Sequence, residues 1–69
     1  MATGEITTWN DAIGEGLVSE DGNGVHRVFR QDCTQALQDA LSGKNFPPST
    51  QSVTFGVAAD NHAIHVDID

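Results

Sequence analysis

Polar and apolar residues alternate in several short segments of this chain, and a two-residue period is typical of β-strands that bury one face. The first two segments, residues 4–9 and 14–20, flank the sequence Asn-Asp-Ala-Ile, which is typical of a turn. Residues 20–24 contain Asp-Gly and Asn-Gly, strong turn signals because both pairs tolerate positive φ. With a third predicted strand at residues 25–30, the first half of the chain is expected to form a three-stranded meander.

One segment follows a helical period instead. We predict a helix over residues 33–42, because its apolar residues recur at three- and four-residue spacing and share one stripe. Asp32 is the predicted N-cap, with Gln35 reaching back to it as in a capping box, and Gly43 stands where a helix end favours positive φ. The stripe is expected to cover the core, with presentation to a partner as the alternative. It consists of Cys33, Ala36, Leu37, Ala40 and Leu41.

Two further strands are predicted after the helix. Residues 42–50 contain two consecutive prolines and are predicted to form a loop. Strands follow at residues 52–57 and 63–69, joined by a turn over residues 58–62. The resulting order predicts a mainly β OB-type fold, a five-stranded antiparallel barrel with one short helix between strands 3 and 4. The residues expected to face inward in the last two strands are Val53, Phe55, Val57, Ile64, Val66 and Ile68.

The length of 69 residues leaves room for one domain, predicted to span residues 1–69. The chain has no apolar run long enough to cross a bilayer, and its first residues lack the pattern of a signal peptide. We therefore expect a cytoplasmic protein without a membrane anchor. The lone cysteine, Cys33, has no partner for an internal disulfide and is interpreted as a small buried hydrophobe.

Charge changes the functional picture. Ten acidic against three basic residues give a formal net charge of −7, which opposes nucleic-acid binding because that binding depends on cations that neutralise phosphates. One interpretation is solubility or adaptation to a salty cytoplasm, where self-repulsion is screened. The other is an acidic surface that meets a basic protein partner or mimics nucleic acid. Composition leaves both open.

The N-terminal part of the chain nevertheless resembles bacterial cold-shock proteins. That family begins M-x-x-G-x-V-K-W-F-N-x-x-K-G-F-G-F-I followed by an acidic-glycine turn, and this chain begins MATGEITTWNDAIGEGLVSEDGNG, in phase and without a gap. Val28-Phe29 falls near the V-F of the family's V-F-x-H-F motif after one inserted residue, and the later strands match in pattern only. The positions in common are Gly4, Ile6, Asn10, Gly14, Gly16, Val18, Asp21 and Gly22.

The resemblance implies an OB-fold protein that binds single-stranded RNA and DNA with little sequence preference, by stacking bases on exposed aromatic rings flanked by lysines. Each stacked base contributes about 1–3 kcal/mol. Many of those family positions carry other residues here. Thr8 replaces the tryptophan, Glu15 and Leu17 replace two phenylalanines, Gln31 and Asp32 replace the last two residues of V-F-x-H-F, and Thr7 and Ile13 replace lysines.

The predicted function is weak binding of single-stranded RNA or DNA by a monomer or weak homodimer. Several of the candidates have a plain structural alternative: Trp9 and Phe29 could belong to the core, and the two arginines could simply be solvated residues at a strand end. Glu15 opposes binding because its carboxylate repels phosphate. The alternative function is a protein-interaction module, on the same barrel, that has lost nucleic-acid binding. The candidate binding residues are Trp9, Leu17, His26, Arg27, Phe29, Arg30 and Lys44.

Metal binding and catalysis are not predicted. His62, His65, Asp67 and Asp69 lie close in sequence, and imidazole with carboxylates suits a divalent transition metal. On a strand, however, His62 points away from the other three, and chain ends fray. The sequence contains no phosphate-binding loop or nucleophile elbow, and no base is readable beside Cys33. We therefore expect no catalytic residue, cofactor or enzymatic activity.

Overall fold

A computed structural model describes residues 2–22, 24–46 and 48–69. Asn23 of the predicted turn and Pro47 of the predicted loop lie outside the described residues, as does Met1. Within these ranges the chain forms five strands and one short α-helix, so the prediction of a mainly β fold with a helix between strands 3 and 4 is confirmed. The elements are β1 (Ala2–Asn10), β2 (Glu15–Glu20), β3 (Gly24–Phe29), a 3-10 turn (Arg30–Asp32), α1 (Gln35–Leu41), β4 (Gln51–Val57) and β5 (Ala63–Ile68).

All five strands pair antiparallel in one sheet, in the order β3-β2-β1-β4-β5. The sheet curls into a half-barrel, and its two edge strands, β3 and β5, approach each other without pairing in the sheet. The segment after β3 connects the edges instead, since Cys33 forms a parallel bridge with Val66 and Thr34 N–H donates to the Val66 carbonyl at 2.9 Å. Within the described ranges, no helix is long and apolar enough to cross a membrane.

The concave side of the half-barrel holds the core. Large apolar side chains from all five strands and α1 are fully buried there, and α1 contributes Leu37 and Leu41. The helix stripe is therefore confirmed as a core-facing surface at its centre, whereas Ala36 is exposed. The largest fully buried side chains are Phe55, Ile6, Leu37, Leu41, Val18, Val28, Val53 and Val66.

The helix begins later than predicted, and its N-cap is Thr34 rather than Asp32. The hydroxyl of Thr34 accepts a hydrogen bond from Leu37 N–H at 3.3 Å, which satisfies one of the free amides of the first turn. Asp32 ends the preceding 3-10 turn and faces His62 instead. The same turn contains Arg30, which the prediction had placed in the third strand.

The predicted alternation in β5 is wrong at its start, where Ala63 is buried in place of Ile64, whereas Val66 faces inward as predicted. Ala63 and Val66 are fully buried, whereas Ile68 is 40% exposed and Val57 is 44% exposed. The exchange between Ala63 and Ile64 is caused by an irregularity in the β4–β5 pairing, where the register shifts between Thr54 and Gly56, whereas Val57 and Ile68 are exposed at the ends of their strands. On β5 this irregularity includes His65 at φ +51°, and an extra residue in a strand exchanges the two faces.

Candidate nucleic-acid interface

Three of the predicted binding residues lie together on the convex side of β2 and β3. Because successive side chains of a strand point to opposite faces, Leu17 and Arg27 point away from the core and are direct cross-strand partners. Thr8 of β1 continues this row on the other side of Leu17, and the next row pairs Glu15 with Phe29. We call these five residues the outer face.

The outer face carries one cation and one carboxylate that neighbour each other. Arg27 Nε lies 4.0 Å from Glu15 Oε1, and both side chains are exposed to solvent. Such an exposed pair adds little stability, since water and salt screen it. The carboxylate does reduce the positive potential that Arg27 presents to an anion.

Phe29 lies between the two loops that flank the outer face. The L12 turn (residues 11–14, between β1 and β2) borders one side, where Ile13 and Arg30 line a pocket of about 480 Å³ with the ring. The L45 turn (residues 58–62, between β4 and β5) borders the other, where Val25 and His62 line a pocket of about 360 Å³. The imidazole of His62 meets Phe29 edge to face, with ring centroids 5.7 Å apart. The half-buried Phe29 ring is thus shared by two open pockets.

Arg30 fixes the L12 turn against the end of β3. Its backbone N–H donates to the Gly14 carbonyl at 2.8 Å. Its guanidinium donates to the backbone carbonyl of Asp11 and, at 3.0 Å, to Oδ1 of the same residue. Gly14 adopts φ +68°, and a Cβ there would lie 3.2 Å from Arg30 Cβ. Arg30 is on the rim of a pocket, but its charge is already paired with a carboxylate.

The other three predicted binding residues lie elsewhere. Trp9 is 6% exposed and faces the core, with its indole N–H donating to Asp11 Oδ1 at 3.3 Å. His26 is also 6% exposed and points inward from β3. Lys44 is exposed in the loop after α1 and lines a separate surface pocket near Trp9 and Phe46. On the convex side the structure therefore brings together Leu17, Arg27 and Phe29. His26 reaches the pocket beside Phe29 from the inner side of β3, whereas Trp9 and Lys44 lie apart from it.

Cys33 lies at the end of the 3-10 turn and is 8% exposed. Its Sγ–H donates to the Phe29 carbonyl at 3.4 Å. Burial, with a smaller contribution from the charge of Asp32, raises the pKa of this thiol to about 11. The thiol therefore stays protonated at neutral pH, as expected for a small buried hydrophobe.

Of the polar residues near the C-terminus, His62 and Asp67 contact separate partners. Nδ1 of His62 contacts Asp60, and hydrogen bonding to His62 lowers the pKa of Asp60. Nε2 of the same ring lies 3.5 Å from Asp32 Oδ2. Asp67 Oδ1 accepts a hydrogen bond from the Thr34 hydroxyl at 2.9 Å. Across the described part of the chain, no group of three or more His, Cys, Asp or Glu side chains is placed to hold a metal ion.

Sequence reasoning missed three residues around Phe29, namely Ile13, Val25 and His62. Ile13 and Val25 are 66% and 54% exposed, and their only sequence signal is an apolar side chain beside a predicted turn. His62 was considered only as a metal ligand. Its position beside Phe29 depends on how the L45 turn folds towards β3, a contact between residues 33 positions apart that no local pattern indicates.

Comparison with known proteins adds no relative: no family model matches this chain, and neither does any curated protein.

Proposed function

We propose that this protein is an OB-type barrel, similar to the cold-shock proteins, that binds single-stranded RNA or DNA weakly and with little sequence preference. The sheet order supports the barrel. An OB barrel opened between its third and fifth strands has the order β3-β2-β1-β4-β5 found here, and these two strands face each other across the gap. OB-folds bind oligonucleotides on the face of strands 2 and 3 and on the L12 and L45 loops.

The position of Phe29 is the observation that carries this proposal. Its ring lies on the outer face beside Leu17 and Arg27, with an open pocket on each side. A base stacked on such a ring gains about 1–3 kcal/mol, whatever its identity. Arg27, the cation of the outer face, is suited to a phosphate beside that base.

Low affinity follows from the same geometry. The outer face offers one aromatic ring, because Thr8, Glu15 and Leu17 occupy positions where the cold-shock family has aromatic residues and the ring of Trp9 is buried. The net charge of −7 also repels a polyanion at long range. Binding is therefore expected only at low salt, and pyrimidine and purine strands should differ little.

Fluorescence anisotropy of end-labelled oligothymidine and oligouridine, measured at low salt, tests the proposal. Phe29→Leu removes the π-face while it keeps an apolar side chain, and it should weaken binding about 5- to 100-fold, the equivalent of one stacked base. Val57→Ala is the matched control, because Val57 is a partly exposed apolar residue on β4, away from the outer face. Equal affinities for the two variants, or no binding by the parent protein, would reject the proposal.

The salt dependence of the same titration tests the role of Arg27. Each phosphate neutralised on a single strand contributes about −0.7 to the slope of log K against log salt. Arg27→Gln should reduce the slope by about that amount and weaken all sequences equally. An unchanged slope would show that Arg27 does not contact the strand.

One observation favours a second function, docking of a basic protein segment. Ile13, Leu17 and Val25 are exposed apolar residues on or beside the outer face, and Glu15 lies among them. A lysine-rich peptide with apolar residues would match this surface in a chain of net charge −7. NMR titration with such a peptide and with an oligonucleotide distinguishes the two functions, because only one polymer should shift the β2 and β3 amides.

A further inference from the structure

We propose that His26 is a proton-dependent clasp. Its doubly protonated ring holds β3 against the L45 turn, across the gap between the two edges of the half-barrel. The inference goes beyond the proposed function, because it concerns the inner side of β3 and does not require that any strand binds.

The clasp is built from two hydrogen bonds, one from each nitrogen of the His26 ring. On one side, His26 Nε2 lies 2.7 Å from Glu20 Oε1, at the end of β2. On the other side, Nδ1 lies 2.9 Å from the backbone carbonyl oxygen of Asn61, in the L45 turn. The Phe55 ring packs edge to face on the imidazole at 5.7 Å between centroids, so the ring is held in place. β3 and the L45 turn are 35 residues apart in sequence at this contact.

Both contacts require His26 to donate. A carbonyl oxygen and a carboxylate oxygen only accept hydrogen bonds, whereas a neutral imidazole has a single N–H. The neutral ring can therefore satisfy Asn61 or Glu20, but not both. The imidazolium form satisfies both at once, and its charge is balanced by the carboxylate.

The surroundings of the ring favour this charged form. Hydrogen bonds to Glu20 and to the Asn61 backbone raise the pKa of His26 above its ordinary 6.5, and burial only partly opposes them. The other charged or titratable groups around the neighbouring pocket are Arg27, on the opposite face of β3, and Asp60 and His62 in the L45 turn. Of these, Arg27 opposes the proton and Asp60 favours it, and Asp60 is already in contact with His62.

The L45 turn is arranged to present the accepting carbonyl. Asn61 adopts φ +73°, a conformation that asparagine tolerates better than most residues. Two backbone hydrogen bonds close the turn, from Ala58 N–H to the His62 carbonyl at 3.0 Å and from Asn61 N–H to the Ala58 carbonyl at 2.9 Å. Loss of the His26 contact should therefore loosen a defined turn and widen the pocket beside Phe29.

The direction of the pH effect follows from the raised pKa. A group that binds its proton more tightly in the folded state stabilises the fold fully below its unfolded pKa, here about 6.5. That stabilisation is lost as the pH rises through the higher folded value. Stability should therefore fall as the pH rises from about 6.5 through the folded midpoint, a range in which the carboxylates no longer titrate.

The first test is the protonation state of the ring in the parent protein. Imidazole ¹⁵N shifts should show both ring nitrogens of His26 protonated at pH 6, with a titration midpoint above 6.5. Amide exchange at Ala58 and Asn61 should accelerate through this midpoint by more than the intrinsic base-catalysed rise. A ring that is neutral at pH 6, a midpoint at or below 6.5, or amide exchange that does not change through the midpoint would overturn the clasp.

A pair of isosteric variants then separates the clasp from a general charge effect. Glu20→Gln keeps an acceptor for Nε2 but removes the carboxylate charge, so the His26 midpoint should move towards 6.5 and the alkaline loss of stability should shrink. Glu5→Gln, on the exposed side of β1, removes the same charge elsewhere and should leave both unchanged. Equal shifts in the two variants would contradict the proposal. Should Glu20→Gln fail to fold, the ¹⁵N titration of the parent protein is the deciding test.

Discussion

The two faces of the β1–β3 sheet are built from neighbouring residues of the same strands, yet they differ in what holds their side chains. On the inner face, Ile6, Val18 and Val28 are completely buried against β4, β5 and α1. On the outer face, Leu17 and Arg27 have solvent above them and few neighbours that constrain them. Substitutions on the inner face should therefore change the free energy of unfolding, and substitutions on the outer face should change binding.

The largest effect is expected from Phe55→Ala, because Phe55 is the largest fully buried side chain. Loss of its contacts and the cavity left behind should lower the free energy of unfolding by about 3–5 kcal/mol, a large part of the stability of a domain this small. Leu17→Ala on the outer face is the comparison and should cost about 1 kcal/mol or less. Urea unfolding followed by circular dichroism measures both, and similar losses would contradict the division between the faces.

The second effect concerns close approach of β1 and β2. Gly16 is buried, and a Cβ there would overlap the Thr8 carbonyl oxygen and lie 2.8 Å from Trp9 Cε3. Gly16→Ala should therefore destabilise by about 1–3 kcal/mol through forced displacement of backbone. Gly56→Ala is the matched control, since the nearest atom to its Cβ would be Ile64 Cγ1 at 3.4 Å, an ordinary van der Waals contact, and it should cost less than about 1 kcal/mol. A larger loss for Gly56→Ala in thermal unfolding would reverse this expectation.

A smaller loss is expected from Thr34→Ala. The variant removes the cap of α1 and the hydrogen bond to Asp67, so it should lower the free energy of unfolding by about 1 kcal/mol. Thr8→Ala removes the same hydroxyl from the outer face, and a change within about 0.5 kcal/mol is expected. Amide exchange of Leu37, whose N–H loses its acceptor, should rise only in Thr34→Ala.

The smallest effect on stability is expected from Glu15→Lys. The side chain is exposed and its pairing with Arg27 is loose, so the free energy of unfolding should change by about 0.5 kcal/mol or less. The same variant should strengthen oligonucleotide binding and steepen its salt dependence, because it replaces a repelling charge beside Phe29. Unfolding and anisotropy titrations, performed on one preparation, would show whether binding can change while stability does not.

The sequence predicted the features that depend on local patterns. The five strands, the helix between strands 3 and 4 and the core-facing Leu37 and Leu41 all follow from short periods, and the structure confirms them apart from the ends of the elements. The helix start was wrong because Asp32 and Thr34 are both good caps, and the choice between them depends on a 3-10 turn and on Val66 of a distant strand. The faces of Ala63 and Ile64 in β5 were predicted wrongly, because the irregular pairing that exchanges them is set by two strands together.

The candidate site was less predictable than the fold. Of the seven candidate binding residues, Leu17, Arg27 and Phe29 lie together on the outer face, because the meander and its two-residue period bring them there. Trp9 shows why residue type was not enough. The irregular pairing between Ile6 and Thr8 turns its ring to the core, while Thr8 takes the exposed position. The role of His62 beside Phe29 requires tertiary contacts that the sequence does not display.

The burial of Trp9 has a practical consequence for any study of this protein in solution. Because the single indole of the chain is packed against the core and bonded to Asp11, its emission should be blue-shifted in the native state and should move to longer wavelength on unfolding. The protein thus carries an intrinsic optical probe that follows the integrity of its fold. Ligands on the convex surface should leave that signal almost unchanged.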